Sequence, residues 1–131
     1  MKILAYSIMV SLLFVSYQAW AEDYDGTKPL LCASIEAISC EPGMPCEKSL
    51  PEVMGAPQFM RVDFSRKEIM GPKRTTAIRL MEKTDEQLTL QGFELGMGWT
   101  FALDRTTGKM VVTLIGRETA YVVFGACTPL Q

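Results

Sequence analysis

From residue 58 onward the chain alternates between apolar and polar positions with a period of two. Met60, Val62 and Phe64 alternate with Phe59, Arg61 and Asp63, and a polar turn follows at Ser65 and Arg66. Thr76, Ile78 and Leu80 alternate with Ala77, Arg79 and Met81, and Trp99, Phe101 and Leu103 alternate with Thr100 and Ala102. This is the spacing of half-buried strands, because successive side chains of a strand point to opposite faces. The same reading predicts strands over residues 30–38, 58–64, 67–70, 76–82, 88–91, 99–103, 109–115 and 119–127. Between them lie turn signals: Gly71-Pro72, residues 83–86, Gly92, and Asp104-Arg-Thr-Thr-Gly108. In the last of these, Asp104 can cap the turn and Gly108 can adopt the left-handed conformation that closes such loops.

The stretch from Cys40 to Cys46 cannot be regular structure, because two prolines bracket a glycine. Residues 47–57 carry Pro51, Gly55 and Pro57 and allow one short helical turn around residues 50–54. Residues 22–29 read as a polar, frayed lead-in. Eight short strands about ten residues apart predict an all-β domain: a small antiparallel meander of seven or eight strands, closed or nearly closed into a barrel. A β-sandwich is the alternative, since alternation serves both equally.

Residues 1–21 have a different pattern. Lys2 precedes an apolar run over residues 3–15, and Ala19-Trp20-Ala21 completes a signal-peptide cleavage signature. Residues 22–131 then form the exported domain, in the periplasm or outside the cell. No later stretch approaches the roughly 18 apolar residues of a spanning helix, so the mature chain is expected to have no transmembrane segment. The four cysteines, Cys32, Cys40, Cys46 and Cys127, all fall in the mature part. An even count in a small exported chain predicts two disulfides. Their spacing matches neither a zinc pattern nor a C-x-x-C redox motif. The expected pairing is Cys40–Cys46, which encloses a tight reversal, and Cys32–Cys127, which joins the first strand to the last. Pairing of Cys127 with either loop cysteine is the alternative.

The segment Gly98-Trp-Thr-Phe-Ala-Leu-Asp-Arg-Thr-Thr-Gly108, followed by Gly125-Ala-Cys127, resembles a C-terminal pattern in small exported bacterial β-proteins of no assigned function. The resemblance implies an exported β-domain and carries over no catalytic or binding residue.

Composition narrows the chemistry. The chain has no His, which removes Ser-His-Asp and Cys-His nucleophiles and His-ligated metals. It has no Asn and so no N-glycosylation sequon. Without Lys2, 12 of the 13 basic side chains remain against 15 acidic ones, a net charge of −3 that argues against nucleic acid as a partner. Carboxylates are the remaining acid–base candidates. Asp63 and Glu68 flank a hairpin, but no pair has the context of a cleft, which leaves a carboxylate-only hydrolase as a minor reading. The methionines are too dispersed for a Cu(I) site and are expected to pack. No metal and no cofactor is implied.

Two binding candidates remain. Arg61, Arg66, Lys67, Lys73, Arg74 and Arg79 fall within 19 positions, against Asp63 and Glu68 alone. Arg61, Arg79, Lys73 and Arg74 are the candidate contacts if outward faces gather them into a patch. Trp99, Phe101 and Tyr121 can line an apolar pocket if the interior is not filled by side chains. The expected function is a non-enzymatic binding or interaction module, its partner a protein or envelope component. A small-ligand barrel with an aromatic pocket is the alternative.

Overall fold

The computed structural model describes residues 23–131, so the signal-peptide expectation lies outside the described residues. Ten antiparallel strands form one sheet curled into a half-barrel. They are β1 (Leu30–Cys40), β2 (Glu47–Ser49), β3 (Phe59–Asp63), β4 (Glu68–Met70), β5 (Thr75–Ala77), β6 (Leu80–Lys83), β7 (Gln87–Glu94), β8 (Met97–Asp104), β9 (Lys109–Ile115) and β10 (Ala120–Pro129). The spatial order is β5-β4-β3-β1-β10-β9-β8-β7-β6, with β2 added to β1.

The expected count of seven or eight strands is therefore corrected to ten, for two reasons. The Cys40–Cys46 disulfide reverses the chain, so that Glu47–Ser49 pairs back onto Ser39, Ile38 and Ala37. The expected strand over residues 76–82 is broken at Ile78 and Arg79. The Ile78 N–H donates to the Lys67 carbonyl and the Arg79 N–H to the Gln91 carbonyl, both at 2.8 Å. Before the kink the chain pairs with β4, and after it with β7. A proline-led 3-10 turn over Pro51–Met54, ended by Gly55 at φ 79°, occupies the expected helical turn.

The inward face follows the alternation. Met60 and Val62 on β3, Leu88 and Leu90 on β7, Trp99, Phe101 and Leu103 on β8, Met110 and Val112 on β9, and Val123 and Cys127 on β10 are all buried. Phe101, Leu88, Leu90 and Leu103 alone withdraw four large side chains from water, each worth about 1.5–3 kcal/mol. Trp99 is held further: its Nε1–H donates to Thr76 Oγ1 at 3.1 Å, and Thr76 Oγ1 donates to the Phe93 carbonyl at 3.0 Å. These bonds tie β5 to β7 and β8. They require Gly92 beneath the indole, since a Cβ there would lie 2.4 Å from Trp99 Cζ2.

Cys32 and Cys127 face each other in the β1–β10 register and are bonded, as are Cys40 and Cys46. Both bonds join the residues paired in the sequence reading. The frayed lead-in is corrected. The Tyr24 hydroxyl donates to the Cys127 carbonyl at 3.0 Å, Arg105 Nε donates to the Tyr24 carbonyl, and Lys83 Nζ donates to the Asp25 carbonyl. Residues 24–28 are thus stitched to β6, β10 and the loop between β8 and β9.

Candidate interaction surface

The strand register gives the half-barrel two ends. The lower end carries turns 84–87 and 104–109, turn 63–68, the end of β10 and residues 24–28. The upper end carries hairpin 94–97, turn 115–120, the Cys40–Cys46 loop and the 3-10 turn.

The upper end is apolar. Phe93 (71% exposed), Leu95 (70%), Ile115 (59%), Met44, Leu50 and Val53 all reach solvent there. The pairing explains how they adjoin. Phe93 pairs with Gly98, Gly98 with Ile115, Ile115 with Ala120, and Ala120 with Cys40, all in one cross-strand row. Gly98 has no side chain, and the Phe93 ring lies 3.7 Å from where its Cβ would be. The row therefore runs Phe93, Ile115, Ala120 and on to the Cys40–Cys46 disulfide. Glu41, Glu47, Glu94, Arg117 and Glu118 punctuate it, so an apolar centre meets a charged fringe, the composition of many protein-binding patches.

Leu95 adds a second feature. It occupies the first position of the two-residue loop between Glu94 and Met97, with φ 51°, followed by Gly96 at φ 76°. Such loops favour Asn, Asp or Gly at this position, because a Cβ crowds the backbone in the left-handed region. A large apolar side chain is held here against local preference, as occurs where a loop tip serves recognition.

The basic candidates are distributed over β3, the two turns that flank β4, and the kink after β5. Arg61 faces outward on β3 opposite Met70, and Lys73 and Arg74 lie in the turn leading into β5. Arg66 and Lys67 lie in the lower β3–β4 turn, with Arg79 just past the Ile78–Lys67 bond. Arg66 pairs with Glu68 at 3.2 Å. Asp63 is opposite Glu68 in the register. Its carboxyl is held below the usual range by the Ser65 hydroxyl and the Arg66 N–H, and further by Arg61 and Arg66. Asp63 and Glu68 thus sit within the cluster, beside Arg61 and Arg66. The same contacts keep Asp63 ionised, which suits a turn cap rather than a proton donor.

The aromatic candidates divide by burial. Trp99 and Phe101 are buried in the packed interior, and only Tyr121 of the three is partly exposed. Two concavities among the described residues lie elsewhere. One of about 540 Å³ sits on the outer lower face against Thr84, Gln87, Asp104, Lys109 and Val111. The other, of about 220 Å³, lies beside β6. Neither is lined by Trp99, Phe101 or Tyr121. The apolar upper end escaped the sequence reading, although a leucine ahead of Gly96 in a tight hairpin was its one visible signal.

No protein-family model, no curated protein and no solved structure matches the chain.

Proposed function

We propose that this chain is an exported, non-enzymatic interaction module that presents the upper end of its sheet to a protein of the cell envelope or exterior. The observation that carries this reading is the exposed pair Phe93 and Ile115 in one cross-strand row, beside a loop tip built with a left-handed leucine, Leu95. Two disulfides fit an oxidising, non-cytoplasmic compartment. Among the described residues no helix is long and apolar enough to cross a membrane. Near-closure of the sheet belongs to the same reading. The Arg79–Gln91 backbone bond and the Trp99–Thr76–Phe93 chain support a stiff scaffold whose interior is filled by its own side chains.

A photo-crosslinking amino acid at position 93 or 115, in the organism that makes the protein, tests the proposal. A discrete crosslinked partner from both upper positions, and none from position 109 at the lower end, is expected. Crosslinks that are absent at the upper positions, or equal at both ends, overturn it.

A further inference from the structure

One of the two strands that end the sheet, β6, is last in the spatial order and leaves backbone without a partner strand among the described residues. All four of its residues are exposed, Leu80 and Met81 by about half. A backbone row of this kind is a template for another extended segment, and proteins normally blunt it or use it. Beside β6 runs the concavity of about 220 Å³, whose wall combines Phe64, Ile78, Leu80 and Met81 with Lys67 and Arg79.

The kink at Ile78 and Arg79 creates this groove. The chain leaves β4 there and crosses to β7, so nothing continues the line of β4 alongside β6. The Lys67 carbonyl accepts from the Ile78 N–H, which fixes the Lys67 backbone, at φ 53°, beside Ile78 in the groove wall. Arg66 is engaged by Glu68, whereas Lys67 and Arg79 take part in no ion pair among the described residues. Among the described residues no acid lines the groove, and the one acid of β6, Glu82, is not part of its wall.

We infer that the free edge of β6 docks an extended, acidic peptide segment of a partner protein by strand addition. Four residues of β6 span about 13 Å at the usual rise, enough for a four-residue partner strand. Main-chain hydrogen bonds supply the pairing. Apolar side chains of the guest pack on Phe64, Ile78 and Met81, and its carboxylates meet Lys67 and Arg79. This site lies on a different part of the sheet from the upper apolar end and does not depend on it.

The test is an amide NMR titration of the disulfide-bonded protein with the synthetic peptide Ac-Glu-Val-Glu-Val-Glu-Val-NH2. The largest shifts are expected at residues 80–83 and at Lys67 and Arg79. Affinity should fall about tenfold or more in K67E/R79E, and in the milder K67Q/R79Q should that variant misfold. It should fall similarly for the corresponding lysine–valine peptide, and be lost when alternate guest amides are N-methylated. Equal binding of the lysine peptide or of the N-methylated one overturns the inference. So does a shift maximum at Phe93, Leu95 and Ile115, an unchanged affinity in the folded variants, or a β6 edge already paired with a second copy of the chain.

Discussion

The two ends of the half-barrel are built from the same hairpins but finished with opposite chemistry. At the lower end, turns are closed by aspartates. Asp104 Oδ1 accepts from the N–H groups of Thr107 and Thr106 at 2.9 and 2.8 Å. Asp25 accepts from the Thr27 hydroxyl and N–H, and Asp63 from Ser65 and Arg66. Tyr24 then covers the opening, packed so closely that a Cβ on Gly108 would lie 2.4 Å from its ring, while Gly108 itself sits at φ 73°. At the upper end no segment of the described chain plays that covering part over Phe93, Leu95 or Ile115. One end spends its side chains on local hydrogen bonds. The other leaves apolar surface in water, a cost of about 25 cal/mol per Å² that association would relieve. The self-satisfied end contributes stability, and the proposed role in contact falls to the end that is not.

The largest expected effect separates the two disulfides. Removing Cys32–Cys127 with a C32A/C127A pair frees a loop of 95 residues and should cost about 4–5 kcal/mol by chain entropy. Removing Cys40–Cys46, which spans 6, should cost about 2 kcal/mol. Denaturant unfolding of both variants checks it, and equal losses would break the contrast. Trp99→Ala should cost about 3–5 kcal/mol. Trp99→Phe, which loses the bond to Thr76 along with part of the ring, should cost less, again read by denaturant midpoint.

Tyr24→Phe removes the bond to the Cys127 carbonyl and should cost about 1 kcal/mol. Faster hydrogen exchange at Cys127 and Gly108 would locate the loss at the lower end. Leu95→Asn has the opposite sign. It relieves the left-handed leucine and should raise stability by up to about 1 kcal/mol while weakening partner crosslinking at position 93. A destabilised Leu95→Asn variant would remove the argument that the tip trades stability for contact.

The smallest expected effect is acid dependence. The Asp104 carboxyl is held below its ordinary value of 3.8, first by the Thr107 N–H and then by the Thr106 N–H. Asp25 and Asp63 are lowered as well, chiefly by the hydroxyls of Thr27 and Ser65. A lowered carboxyl stabilises the fold above its unfolded pKa, and that contribution fades as pH falls through the folded value. Thermal melts should therefore shift downward below about pH 4. Asp104→Asn keeps an acceptor in the turn and should flatten part of that shift.

Much of the lower end was legible because its chemistry is local. Asp104 and Gly108 are four residues apart, and a turn needs little more than that to be recognised. The Cys32–Cys127 pairing was readable because a meander brings its first and last strands together. Tyr24 was not legible, since its partner Cys127 is 103 residues away and a polar octapeptide with one aromatic looks like a tail. The neighbours of the basic cluster were not legible for a related reason. Nineteen positions hold six cations, but the β3–β4 turn places Glu68 beside Arg66, and the kink at Ile78 brings Lys67 and Arg79 onto one concavity.

Alternation by itself marked most of the strands and the inward set of Val62, Leu88, Leu90, Trp99, Phe101 and Leu103, because a period of two leaves each side chain only two faces to choose between. Tertiary structure alone decided which apolar residues remain uncovered. Alternation puts Phe93, three residues on from Leu90, on the outer face, but only the fold leaves that face without a covering segment among the described residues. Tertiary structure also decided where β5 gives way to β6, since the Ile78 N–H finds its acceptor at Lys67 and the Arg79 N–H at Gln91, on opposite edges of the sheet. Period sets the face of a side chain. What covers that face depends on chain segments distant in sequence, and these meet only once the sheet has curled.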